Sequence, residues 1–247
     1  MRDLIAAILA ALLGRRHASA PSARLADNPL EGKPLRYLIG ADDPGAGRDG
    51  EVIECGYNVT RLPAKGIAIK YCNLFDENNT GAYGPYLHSS DTAAQYNEGQ
   101  IDPRGPGWQR NLREQFARAK SQGFSYVELD NPDAYSVAAV IGAIDLAASY
   151  GLKVVAKNPG LMDGDALAYV AHPNVFGVIV ERGAGSPGEM HELRVRARKR
   201  NLPVWFVSFG RSEAAARETA RAAASYENMR VTYSSAGEYG NAITVTP

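Results

Sequence analysis

The chain has 247 residues, with Lys plus Arg and Asp plus Glu both at 27, so its formal net charge is zero. That balance excludes the basic surplus a nucleic-acid binder needs. A hydrophobic fraction of 45% is that of an ordinary globular protein, and the length suits a single α/β barrel domain.

Arg2 precedes an apolar run from Leu4 to Leu13, and Ala18-Ser-Ala20 fits a small-residue cleavage site. Residues 1–33 are expected to be a signal peptide, or a retained N-terminal membrane anchor, followed by a polar lead-in. The run is too short to span a bilayer as a mature helix. The mature protein is expected to be secreted or periplasmic, without a membrane span, and a single barrel domain is expected over 34–247.

Strands are predicted at Leu35–Ile39, Glu51–Tyr57 and Gly66–Cys72, with no helical pattern between them. Parallel neighbours need a crossover of about a dozen residues, so this irregular third is expected to hold a hairpin or an insertion. Cys55 and Cys72 have no metal-site spacing; two free buried thiols and one disulfide both remain open. A long polar loop, Asn73 to Pro106, then carries Asp76, His88 and Glu98.

Regular alternation follows. Helices are predicted at Trp108–Ser121, Ser136–Tyr150, Asp163–Ala171, Gly188–Arg200 and Arg211–Ser225. Strands are predicted at Phe124–Leu129, Leu152–Asn158, Val175–Val180, Leu202–Val207 and Met229–Tyr233. In the first helix Leu112, Phe116 and Ala119 share one face, and Gly123 and Gly151 stop the first two. Eight strands, the last five separated by helices, predict an α/β fold: a (β/α)8 TIM-like barrel with an irregular N-terminal third.

In such a barrel the chemistry sits at the C-terminal ends of the strands. Asp130, Asn131 and Asp133 end one predicted strand. Lys157 and Asn158 end the next, Glu181 and Arg182 the one after, and Ser208 the one after that. Cys72, Asn73 and Asp76 join from an earlier strand. Glu128 points to the same side as Asp130 and has no evident role. The histidines His17, His88, His172 and His191 are scattered, so no metal site is expected. Two carboxylates on facing strand ends, without a nucleophile–His pair, are the minimal set for glycoside hydrolysis.

Two glycine motifs compete with this reading. Gly45-Ala-Gly-Arg-Asp-Gly50 leads into a strand and is in the wrong context for a dinucleotide. Gly183-Ala-Gly-Ser-Pro-Gly188 does lie between a strand and a helix, so an NAD(P)-binding oxidoreductase is an alternative. Against it, Glu181-Arg182 stands where such a strand is still apolar, and no acidic residue follows for a ribose.

Leu129-Asp-Asn-Pro-Asp-Ala-Tyr135 resembles the Pro-Asp-Asn-Val-Asp-Gly-Tyr type segment of glycoside hydrolase family 114, the endo-α-1,4-polygalactosaminidase-like barrels. Gly151-Leu-Lys-Val-Val-Ala-Lys-Asn158 is similar to that family's Gly-Leu…Leu-Lys-Asn strand, and Phe176-Gly-Val-Ile-Val-Glu181 to its Phe…Val-Val-Glu strand. Pro203-Val-Trp-Phe-Val207 stands where a Pro-Val strand is expected. The resemblance spans residues 108–210. It implies Asp130 and Glu181 as the catalytic carboxylates and a sugar site lined by Asn131, Asp133, Tyr135, Lys157 and Asn158. Asp76, Arg182 and Ser208 are added as rim candidates. The implied substrate is an α-linked galactosamine-type polysaccharide, cleaved without a cofactor. A barrel that binds such a carbohydrate without cleaving it is the other reading. The family often doubles the Glu, whereas Arg182 follows Glu181 here, and Pro132 replaces a β-branched residue.

Overall fold

The computed structural model describes residues 25, 27–38, 43–77, 80–87, 97–159, 166–181, 187–208, 214–215, 217–218, 221, 229–233 and 243–245. One nine-stranded sheet runs in sequence order: β1 Leu35–Leu38, β2 Val52–Cys55, β3 Ile67–Asn73, β4 Tyr126–Asp130, β5 Lys153–Lys157, β6 Val175–Glu181, β7 Val204–Ser208, β8 Met229–Tyr233 and β9 Ile243–Val245. Every neighbouring pair from β1 to β8 is parallel. β9 returns antiparallel to β8, and both approach β1, so the sheet curls into a nearly closed barrel. The fold is a (β/α)8 TIM-like barrel.

Of the two features expected in the N-terminal third, a hairpin or an irregular insertion, the described residues show no hairpin: β1, β2 and β3 pair in parallel, and the described parts of the connections, 43–51 and 56–66, are irregular. Lys70 secures the second crossover by donating to the carbonyls of Gly56, Tyr57 and Val59 at 2.9, 2.7 and 2.5 Å. Nor is there a disulfide: Cys55 and Cys72 are free and buried on β2 and β3, and burial pushes both thiols up to about 12. They act as small core residues.

The helices cover the outer face of the sheet. α1 (Pro106–Ser121) opens on a proline whose φ is already helical and whose missing N–H costs nothing there. It buries Trp108, Leu112, Phe116 and Ala119, spaced three and four apart. α2 (Val137–Ser149) is capped by Ser136, whose Oγ accepts from Ala139 N, and buries Val140, Ala143, Ile144 and Ala147. α3 (Pro187–Arg200) ends on buried Arg200, which donates to the carbonyls of Val170, His172, Pro173 and Val175. The helix expected over Asp163–Ala171 is a 3₁₀ turn, Ala166–Ala171, stopped by Pro173 two residues on. The segment Arg211–Ser225 lies largely outside the described residues, as do residues 1–24. Among the described residues no helix is long and apolar enough to cross a membrane.

Alternation of side chains along each strand separates two cores. Outward residues such as Val127, Leu129, Val154, Ala156, Val178 and Phe206 pack under the helices. Each such large side chain contributes roughly 1.5–3 kcal/mol when fully buried. Inward residues Leu35, Val52, Ile69, Tyr126, Val155, Ile179 and Trp205 plug the lower barrel. Gly177 exists for this plug, since a Cβ there would meet the Trp205 ring at 2.7 Å. Above the plug the inward positions turn polar.

Candidate active site

The polar layer follows from the same alternation. Two residues above Leu35 on β1 comes Tyr37, and two above Val52 on β2 comes Glu54. Above Ile69 stand Tyr71 and Asn73, and above Tyr126 stand Glu128 and Asp130. Lys157 follows Val155, and Glu181 follows Ile179. Asn73 and Asp130 are register partners, which sets β3 and β4 side by side at the rim.

Lys157 is the centre. It is 1% exposed, and its Nζ lies 2.9 Å from Asp130 Oδ2, 2.9 Å from Glu181 Oε1 and 3.5 Å from Glu128 Oε1. Each of the two rim carboxylates has a matching set of donors. Tyr71 Oη donates to Asp130 Oδ2 at 2.8 Å and Asn131 N to Asp130 Oδ1 at 2.8 Å. Tyr37 Oη donates to Glu181 Oε1 at 2.7 Å and Asn158 Nδ2 to Glu181 Oε2 at 2.9 Å. One ammonium thus clamps two carboxylates whose remaining lone pairs are already oriented.

Burial alone would lower the Lys157 ammonium. The carboxyls of Asp130, Glu181 and Glu128 outweigh it and hold the group well above its ordinary value. Burial, with the neighbouring carboxylates adding to it, lifts the phenols of Tyr37 and Tyr71 well above theirs, so both remain hydroxyl donors.

Two carboxyls lie deeper. Glu54 and Glu128 are fully enclosed. Glu54 Oε2 accepts from Leu38 N at 3.0 Å; among the described residues its Oε1 and both oxygens of Glu128 have no hydrogen-bond partner. Burial pushes Glu54 up to about 8, against the opposing pull of Lys157, and it raises Glu128 well above the carboxylate range. A carboxyl raised by folding adds stability that is fully present below its unfolded value near 4.5 and is lost as pH rises through about 8. Replacing Glu54 with Gln keeps an acceptor for Leu38 N and removes that titration. The decline of Tm between about pH 4.5 and 8 is expected to be shallower in E54Q than in the native chain. Parallel slopes in thermal melts across that range would refute it.

Asn131 and Asn158 follow β4 and β5 in the left-handed conformation, at φ 61° and 43°, a strained geometry that Asn tolerates better than most residues. Asn158 uses it to hold Glu181 twice, accepting from Glu181 N at 2.8 Å while its amide donates to the carboxylate. Asn131 donates to Asn73 Oδ1 at 2.8 Å, and Asn73 donates to Glu98 Oε1 at 2.6 Å, which ties the long loop to the rim. Both asparagines, expected to contact substrate, stand partly exposed at the rim and are hydrogen-bonded to the carboxylates beside them. Asn158→Gly keeps the backbone conformation but loses both bonds. In any reaction that uses Glu181, this variant is expected to be slower by roughly 10- to 100-fold with little change in Tm; a large Tm loss at an undiminished rate would overturn this.

The other expected residues are distributed differently. Asp133 is exposed on the 3₁₀ turn Pro132–Ala134. Tyr135 packs its ring against Phe75 and Trp108 and donates to Leu74 O at 3.1 Å, so it braces the turn under the rim. Asp76 is 1% exposed and accepts from Tyr86 Oη at 2.6 Å and Thr80 Oγ1 at 2.9 Å, which organises the loop rather than the Lys157 cluster. Ser208 ends β7 beside Tyr233. Arg182 and most of Gly183–Gly188 lie outside the described residues. Tyr37, Tyr71 and Glu54 were not anticipated. Their signal was parity: each sits two residues above an apolar inward position.

Glu77 and Glu98 stand at the loop edge. Burial pushes Glu77 up to about 7 and raises Glu98, with neighbouring carboxylates adding to both. A depression of about 220 Å³ at the opposite end of the barrel is lined by Leu62, Ile67, Ser125 and Tyr126, without carboxyls or amines. Among the described residues no group of three or more His, Cys, Asp or Glu side chains is placed to hold a metal ion.

No protein-family model and no curated protein sequence matches the chain. Several solved structures are similar in fold. Aspergillus fumigatus Ega3, in complex with galactosamine, aligns with a TM-score of 0.66 and 13% identity over 92% of this chain and 100% of that one. The glycoside hydrolase domain of PelA from Pseudomonas aeruginosa aligns with a TM-score of 0.53 and 16% identity, over 86% and 98%. At these identities the likeness establishes the shared barrel.

Proposed function

We propose that this protein is a glycosidase that cleaves α-linked, galactosamine-type polysaccharide with retention of configuration. Asp130 is the nucleophile and Glu181 the acid/base. The observation that carries the reading is the single ammonium between them. With 2.9 Å to each side, Asp130 Oδ2 and Glu181 Oε1 are separated by at most twice that distance. Retaining pairs stand about 5–5.5 Å apart, and inverting pairs about 6.5–9.5 Å to admit a water.

In the first step Asp130 attacks the anomeric carbon while Glu181, which carries a proton on its outer oxygen Oε2 once substrate is bound, gives that proton to the leaving oxygen. In the second, Glu181 takes a proton from the water that resolves the glycosyl–enzyme. Asn131 and Asn158 keep the two groups oriented, and Tyr37 and Tyr71 support the oxygens facing Lys157. A similar barrel solved with galactosamine supports the amino-sugar choice, and another that is a glycoside hydrolase domain supports the reaction class. The apolar run Leu4–Leu13 fits an exported enzyme meeting a polysaccharide outside the cell.

The test is the anomer released first from a partly deacetylated α-1,4-galactosamine polymer, followed by NMR during hydrolysis. The α-anomer is expected. Early β-anomer would establish inversion, and binding without any release would leave a carbohydrate-binding barrel.

A further inference from the structure

Four carboxyls and one ammonium share the upper barrel. Tyr37 faces this space from β1, Glu54 from β2, Tyr71 from β3, Glu128 and Asp130 from β4, Lys157 from β5 and Glu181 from β6. The tyrosines are hydroxyl donors, so Lys157 is the only cation among the described residues of this layer. It already faces two carboxylates at 2.9 Å. Ionising Glu128 as well would set a third anion, fully enclosed, against the same ammonium.

The surroundings of Glu128 do not suit an anion. Neither of its oxygens has a hydrogen-bond partner among the described residues. Lys157 approaches it only to 3.5 Å, the longest of its three carboxyl contacts. A buried carboxylate normally keeps its charge by gathering two or three donors, and without them desolvation costs several kcal/mol. Asp130 and Glu181 have such donors on both oxygens; Glu128 has none.

We propose that Glu128 is a positioning residue of this site, held as a neutral carboxylic acid beneath Lys157, so that the ammonium is shared by Asp130 and Glu181 alone. Ionised Glu128 would draw Lys157 down from the rim and loosen both carboxylates at once. Alkaline loss of activity then begins with the buried acids and not with the rim pair. The activity arm rests on the glycosidase reading; the spectroscopic arm does not.

The test uses the full chain. Infrared difference spectra at neutral pH read the C=O stretch of protonated carboxyls in the native protein, E54Q and E54Q/E128Q. A band that survives E54Q and disappears in the double variant is expected. In parallel, kcat/KM on the galactosamine polymer is followed from about pH 6 to 9. The loss of kcat/KM toward alkaline pH is expected to be shallower in E128Q, whose amide cannot ionise. A packing role would lower activity equally at every pH. Absence of the surviving band, or a pH profile that superposes on the native one, overturns the proposal. If E128Q fails to fold, E54Q/E128D takes its place: a shift of the surviving band assigns it to residue 128, and an unshifted band overturns the proposal. If the native protein hydrolyses no polymer, the glycosidase reading fails and the spectra alone judge Glu128.

Discussion

Asp130→Asn and Glu181→Gln are each expected to suppress release of reducing ends from a galactosamine polymer while leaving the barrel folded. Loss of an acid/base group costs roughly 10²- to 10⁴-fold in rate, and loss of a nucleophile more. Both replacements are near-isosteric. In D130N the side-chain oxygen still accepts from Asn131 N, and in E181Q it still accepts from Asn158 or Tyr37. The charge is lost while most of the geometry stays. The pair also separates the roles. An activated aryl leaving group needs little protonation, so E181Q is expected to recover most of its first-step rate on such a substrate and D130N is not. The opposite pattern would exchange the two roles. Turnover within a few-fold of the native chain in both variants would remove the dyad from the mechanism.

Lys157→Met is expected to be the most destabilising single change at the site. Methionine matches the buried length but removes the only ammonium, among the described residues, from a layer that holds Asp130, Glu181 and Glu128. Breaking a buried ion pair by removing one partner costs about 3–5 kcal/mol, a fall in Tm on the order of 10 °C for a domain of this size. The sign with pH follows. Without Lys157 the stranded carboxyls are relieved by protonation, so the gap between variant and native Tm narrows from neutral pH toward about pH 4.5. An equal deficit at both pH values in thermal melts would mean that Lys157 acts through packing. Hydrolysis is expected to be lost as well, because the rim carboxylates would repel one another out of register.

Much of this was legible in the chain. Glycines 123 and 151, both at positive φ, end the first two helices as their spacing predicts, and the Leu112, Phe116, Ala119 face is buried as expected. Asp130, Lys157 and Glu181 end successive strands, and successive parallel strands are neighbours, so their meeting was implied before any coordinate. The N-terminal third was less legible: a parallel crossover need not be a helix, and the described residues 43–51 and 56–66 are irregular, so of the hairpin and the insertion the pattern left open, the insertion describes it better. β9 escaped notice because three residues carry too little pattern.

What local sequence determined was the order of strands and helices and the residues that stand at strand ends. Hydrophobic period, proline and glycine act over a few residues and need no distant partner. What the tertiary structure decided was who shares Lys157. Tyr37 reaches Glu181 across 144 residues and Tyr71 reaches Asp130 across 59. Those contacts exist only once closure of the barrel fixes which side of each strand faces inward and how the strands are staggered. The same closure enclosed Glu54 and Glu128, and burial, a property of the whole barrel, sets their charge.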